Sequence, residues 1–549
     1  MKAFRHRISL RAYLVSTAVG MSLFSSPAFA QQVAAGAAPA DTRDVIIVTG
    51  TRVKDRSVLD TAVPVDVVTD EVLEQQGTTE LSQALSQVLP SFNYPRPSLT
   101  DGTDNVRPAT LRGLSPDQTL LMVNSKRRHA TALVNLNGSV GRGSAAADLN
   151  AIPTSAIGSI EVLRDGASAQ YGSDAIAGVI NLRLREAHEG GGLTFTYGER
   201  DTDVEAKQVA PPANATWTVN SKRHVNDGET ATAGAWAGFS LGENGFLTLS
   251  AELKAQDPTS RGVDDPRQQY PLIAGQFDPR ERTINRLDTR FGDPELTQTT
   301  LFANAGLDTG AIHWYGWASY QNRDSTAASS WRLPSGSNNV PAIYPDGYLP
   351  FINSRVNDYS VAGGAKFTAF DWDWDASLVY GDNKIDYRTL HSVNVSLGAN
   401  SPTDFYAGQL DYGQLVADLN VDREFNIGTF SPLNVAWGIE ARRETYKIGR
   451  GDLASYQAGP FAGSPGASNF PGFQPDNEVD VDRTAVGAYL DLEVNLLTNL
   501  LVSGAVRTEH YSDFGDTTNG KVSGRYDFTP NFAIRGAISN GFRAPSLQQ

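Results

Sequence analysis

From about residue 190 to the end, the chain reads as a run of alternating segments whose connections are long and short in strict turn. The segments lie near 191–200, 229–241, 245–255, 296–308, 311–322, 357–370, 372–384, 413–427, 433–448, 480–496, 499–513, 517–528 and 531–543. Several are about 10 residues or longer with a two-residue repeat. Trp314, Gly316, Ala318 and Tyr320 form one face of such a segment, and Tyr315, Trp317 and Ser319 the other. The connections 201–228, 256–295, 323–356, 385–412 and 449–479 are long; 243–245, 308–310, 370–372, 428–432 and 497–498 are short. In an up-and-down antiparallel barrel, every second connection falls on the same rim, so all the long loops collect on one side. Outer-membrane barrels are built this way, and a soluble sandwich has no reason to keep the parity.

The N-terminus points to an exported protein. Lys2, Arg5, Arg7 and Arg11 precede the apolar Ala12 to Phe24, and Ala28-Phe29-Ala30 forms a small-residue cleavage site. Residues 1–30 are therefore read as a signal peptide. No later stretch offers the roughly 20 apolar residues of a membrane-spanning helix. The mean hydropathy of -0.31 agrees with a barrel, whose lumen-facing residues are polar. There is no cysteine, which excludes a disulfide framework and a thiolate metal site. The net charge is -15, and it becomes more negative once the leader is removed. That argues against a nucleic-acid partner; an acidic outer surface serves solubility as readily as attraction of a cationic ligand.

Residues 53–185 read as a mixed α/β domain, with strands at 64–68, 119–123, 159–163 and 177–184. A helix is predicted from Glu80 to Leu89, capped by Thr78 or Thr79, with Leu81, Leu85 and Leu89 on one face. Ahead of this domain, residues 31–52 form a flexible leader ending in Asp44-Val-Ile-Ile-Val-Thr-Gly-Thr-Arg52. Its β-branched run suits addition to an exposed sheet edge of another protein; it reads equally as the first strand of the following domain.

No enzymatic constellation is present. The glycine-rich 165–178 lacks both phosphate-cradle patterns, the seven histidines are scattered, and no nucleophile elbow or calcium loop occurs. We expect no catalytic residue, no resident metal and no cofactor.

Asp44 to Arg52, Leu111-Arg-Gly-Leu114, Gln118-Thr-Leu-Leu-Met-Val-Asn-Ser-Lys-Arg-Arg128 and Asp148-Leu-Asn-Ala-Ile-Pro153 resemble, in order, the plug of TonB-dependent outer-membrane receptors. Ile160 to Asn181 resembles the same plug over a long and specific run, and Asn540-Gly-Phe-Arg-Ala-Pro-Ser546 resembles a motif of the family's barrel. The resemblance implies a plug at 53–185 inside a partial antiparallel transmembrane β-barrel at 190–549. Family barrels have about 22 strands, so the chain is expected to be a C-terminally truncated receptor with two open sheet edges. The short leader leaves no room for the signalling domain that some members carry.

By the same resemblance, Ile46, Ile47, Val48 and Thr49 would pair with periplasmic TonB, and outer-membrane lipid would surround the barrel. Arg112, Glu161, Arg164 and Asp165 are candidates for plug–barrel contacts, or for ordinary salt bridges within the plug. Candidates for binding an extracellular small molecule are Asn93, Tyr94, Arg96, Asn135, Asn137 and Arg142 in plug loops. In barrel loops they are Tyr270, Trp331, Tyr344, Tyr348 and Phe351, aromatics that also build interfacial belts and loop cores. The implied function is active import of a ferric siderophore, with carbohydrate, cobalamin or another chelate as alternative cargo. A passive pore or adhesin is the competing class.

Overall fold

The computed structural model describes residues 47–53, 56–78, 80–136, 140–207 and 210–549. The predicted signal peptide, the leader through Ile46, and Asn137 lie outside the described residues.

The N-terminal part is built on a five-stranded sheet. Its elements are β1 (Val65–Thr69), α1 (Asp70–Glu74), α2 (Leu81–Val88), β2 (Phe92–Asn93), α3 (Thr103–Val106), β3 (Thr110–Leu111) and β4 (Thr119–Val123). They continue with β5 (Lys126–Arg127), β6 (Ile157–Leu163), α4 (Ser168–Tyr171) and β7 (Gly178–Leu184). The sheet order is β1-β6-β7-β4-β5, with β4 and β7 parallel and the other pairs antiparallel; β2 and β3 pair separately. The two-residue turn Asn124-Ser125 has both φ angles positive, the primed geometry that a tight hairpin requires. Helix α2 starts one residue later than predicted. Glu80 is its N-cap residue without a side-chain cap, and the Thr78 hydroxyl accepts from the Glu80 amide at 3.2 Å. Leu81 and Leu85 pack with Leu121, Ile160 and Leu182 in the plug core.

That core does not stop at the sheet. Phe302, Trp317, Val379 and Val416, from the inner wall of the second sheet, belong to the same buried cluster. The second sheet has thirteen strands in sequential antiparallel order: β8 (Gly191–Glu205), β9 (Lys222–Ser240), β10 (Gly245–Gln256), β11 (Glu295–Asp308), β12 (Ile312–Ala328), β13 (Phe351–Ala369) and β14 (Trp372–Leu390). It continues with β15 (Phe405–Phe425), β16 (Leu433–Gly449), β17 (Val479–Leu497), β18 (Leu500–Tyr511), β19 (Gly515–Thr529) and β20 (Phe532–Ser539). The terminal strands β8 and β20 each pair on one side only.

The wall is turned inside out relative to a soluble sheet. On β17, Val486, Leu490 and Leu492 face outward and exposed, while Arg483, Asp491 and Glu493 face inward and are buried. On β12, Trp314 and Tyr320 are outside, and Trp317 and Ser319 inside. Such alternation places apolar side chains against lipid and polar ones in the lumen. At the short-turn rim Trp372, Trp374, Trp437, Phe367 and Phe425 form a continuous aromatic group, the mark of a membrane–water interface. Among the described residues no helix is long and apolar enough to cross a membrane, which says nothing of crossing by strands.

The long–short alternation of connections persists through the turn 498–499 and lapses at 512–514, where a short connection takes a long loop's place. The Asn540 to Ser546 motif continues past β20 as irregular backbone laid against the plug, where Arg543 pairs with Asp117 at 3.0 Å.

Candidate functional site

The site is the seam between plug and wall together with the segment that leads into it. Residues Ile47–Gly50 form no strand. The Ile47 amide donates to the Arg56 carbonyl at 3.0 Å, and its side chain is buried with Val63, Val65 and Leu163. Val48 is exposed. The Thr49 hydroxyl donates to Glu161 and accepts from Asn181 at 3.0 Å, in a fully buried position. Gly50, with φ of 86°, turns the chain so that its amide donates to the Tyr171 hydroxyl at 2.8 Å. The Arg52 guanidinium then lies 5.1 Å from the ring centre of Tyr171 and 5.2 Å from that of Tyr489 on β17, a cation–aromatic bridge from plug to wall. Thr51 and Arg56 both reach Glu493 on the same strand.

Three of the four charged residues considered for the seam pair inside the plug. Arg112 donates to the Ala177 carbonyl at 3.2 Å, Glu161 holds Thr49, and Arg164 pairs with Asp66 across the β1–β6 ladder. Asp165 alone crosses, to Lys521 of β19 at 2.9 Å. The seam is carried mainly by other residues. Lys126 meets Asp375 at 3.0 Å, Arg128 and His129 share Asp358, and Asp148 meets Arg323 at 2.7 Å. Burial, reinforced by the Arg128 charge, pushes the His129 imidazole below its usual range, so it is neutral at neutral pH. The run Lys126-Arg127-Arg128-His129 is the sequence signal for this layer, since four basic residues directly after a buried strand need acidic partners.

The ligand candidates fall into separate groups. Tyr94 and Arg96 are tied to Glu80: the Tyr94 hydroxyl donates to one carboxylate oxygen at 2.5 Å and Arg96 meets the other at 3.2 Å. Burial pushes the Glu80 carboxyl up, but Lys254, Arg107 and Arg96 outweigh it and hold it well below the carboxylate range. Arg96 and Arg107 also reach Asp293, at the base of the long loop 257–294, so this group links plug and external loop. Asn93 is exposed on β2, Asn135 is buried and donates to the Ser144 carbonyl at 3.0 Å, and Arg142 is exposed. In the loops, Tyr344 stacks on Tyr348 at 4.4 Å, and His391 packs against both and against Phe351. Trp331 donates to Gln269, whose neighbour Tyr270 donates to Asp346.

This arrangement matches known families. Residues 57–179 match the TonB-dependent Receptor Plug Domain, and residues 296–549 match the TonB dependent receptor-like beta-barrel. The chain belongs to the TonB-dependent receptors. A ferric enterobactin receptor of Pseudomonas aeruginosa is 22% identical to this receptor over 491 residues, covering 88% of this chain and 59% of its own length. A probable TonB-dependent siderophore receptor of Acinetobacter baumannii is 36% identical over 118 residues, 22% of this chain. Among solved structures, a mutant ferric enterobactin receptor of P. aeruginosa in complex with enterobactin superposes with a TM-score of 0.59 at 16% identity, covering 88% of this chain and 63% of that one. The unliganded ferric citrate transporter FecA gives 0.58 at 13% identity, with 88% and 64% covered. The chain spans 59% of the length of its first curated relatives. Members of the family are receptors and transporters, not enzymes, and the receptor's place is the outer membrane of a Gram-negative bacterium.

Proposed function

We propose that the receptor imports a ferric siderophore across the outer membrane, driven by TonB acting on the Ile46 to Thr49 segment, and that it carries out no catalytic step. The observation that carries this reading is the docking of that segment. It closes onto the plug through Thr49 and Glu161, and onto the wall through Arg52 and Glu493, by polar contacts that a pull can separate. A lumen filled by a plug has no use in a passive pore. The cargo class is supported by the ferric enterobactin receptors among its relatives.

The test is uptake of a panel of radiolabelled ferric siderophores and oligosaccharides, in cells with and without TonB. TonB-dependent accumulation of a ferric siderophore is the expected result. Accumulation indifferent to TonB would return the receptor to the passive class, and accumulation of a saccharide alone would change the cargo.

A further inference from the structure

Beneath the Asn124-Ser125 turn lies a cavity of about 680 Å³ between plug and wall. It reaches Gly310 and Ala311 in the β11–β12 turn and Thr368 and Asp373 beside the β13–β14 turn, so its lower end is at the short-turn rim. Its upper end is shut by Lys126, held by Asp375, which also accepts from the Tyr315 hydroxyl. One side is made by the segment that TonB would pull: Ile47, Val48, Thr51, Arg52 and Val53 all line it.

We propose that this cavity is the inner transit compartment for the imported solute, and that Arg52 is the latch of its floor. The inference rests on the importer reading above. The volume falls in the range of pockets that hold small-molecule ligands, roughly 300–1,000 Å³. The lining carries charges of both signs, with Lys126, Lys366 and Arg183 facing Asp375, Asp418 and Glu186. Such walls reject an apolar cargo and suit a hydrophilic one rich in hydrogen-bonding oxygens. Arg52 joins the movable segment to both walls at once, through Tyr171, Tyr489 and the Gln170 carbonyl at 3.3 Å. Withdrawing the segment draws the guanidinium from between the two rings and opens the compartment toward the short-turn rim, while the Lys126–Asp375 layer still closes it above.

The absence of cysteine from the chain makes the test clean. Ser125→Cys places a thiol in the roof, and a membrane-impermeant maleimide is applied to outer-membrane vesicles from either side. Labelling is expected from the short-turn side only, and Arg52→Ala in the same background is expected to raise its rate about tenfold, the worth of its two ring contacts. The maleimide adduct is expected to abolish TonB-dependent uptake of the imported panel member while surface binding of that solute persists. Labelling from the long-loop side, a rate unchanged by Arg52→Ala, or full uptake through the adduct overturns the proposal. If labelling follows expectation but the unmodified receptor imports no panel member, the importer reading fails and the transit role with it, leaving a cavity that opens to the periplasm.

Discussion

Arg323, on the inner face of β12, donates to the Asp148 carboxylate of the plug at 2.7 Å, and the two side chains are 2% and 3% exposed. The same guanidinium donates to the Asn105 carbonyl at 3.2 Å and to Gln298 at 2.8 Å, so its charge and its donors are engaged by both partners of the seam. Removing one member of a buried pair leaves a charge without compensation, at a cost of about 3–5 kcal/mol. Asp148→Ala is therefore expected to loosen the plug by about that amount, read as faster proteolysis of residues 140–156 in the assembled receptor. Asp148→Leu combined with Arg323→Met should recover most of the loss. If both single variants and the pair lose equally, the contact is not the source.

Glu161 accepts from both Thr49 and the Val48 amide. With Glu161→Ala, the buried Thr49 hydroxyl loses its acceptor, at about 1–3 kcal/mol for a donor left unsatisfied. Amide exchange of residues 47–51 should accelerate about 10- to 100-fold while the β6–β7 ladder keeps its protection. Equal acceleration of both would mean that the plug itself has unfolded.

Ile47→Pro removes the amide that donates to Arg56. It should abolish TonB-dependent uptake with solute binding retained. Loss of binding in the variant would sink the assignment of this segment to TonB.

Two plug carboxylates have opposite dependences on pH. Burial pushes Asp174 up, but Arg543 and Arg127 outweigh it and hold it at about 2. Its contribution is present above the unfolded value of about 3.9 and is lost as pH falls from there through about 2. Burial pushes Asp104 up to about 7, so its folded form prefers the proton; that contribution is present below about 4 and lost as pH rises through 7. Plug seating, followed by protease resistance, should weaken at both ends. Asp104→Asn should flatten the curve between pH 4 and 7, and Asp174→Asn the acid limb.

The barrel was legible because lipid enforces a two-residue alternation, and the strand centres fall where that alternation is clean. The strand ends were not. β12 runs to Ala328, six residues past its predicted end, and β13 begins at Phe351, six before its predicted start. On the long-loop side both faces meet water or polar lumen, as with Asn353 and Arg355 against Asp324, so the pattern vanishes while the ladder continues. The short elements α1, α3 and α4 carry too few residues for a helical period to register. Partners in the seam were hidden for a different reason. Arg128 and Asp358 are 230 residues apart, and nothing local in either sequence names the other. Glu161 and Arg164 stood out as charged residues in a specific motif, yet β6 points them at Thr49 and Asp66 rather than at the wall.

A seam made of charge pairs has a consequence for what happens after a displacement. Apolar packing acts only at contact, whereas Coulomb attraction persists over roughly 8–10 Å at ordinary ionic strength. A plug shifted by less than that still feels Asp375, Asp358 and Arg323 pulling on their own partners, and only one position satisfies all three. The return stroke is thus already stored in the wall, and the plug finds its register again without any further input of energy.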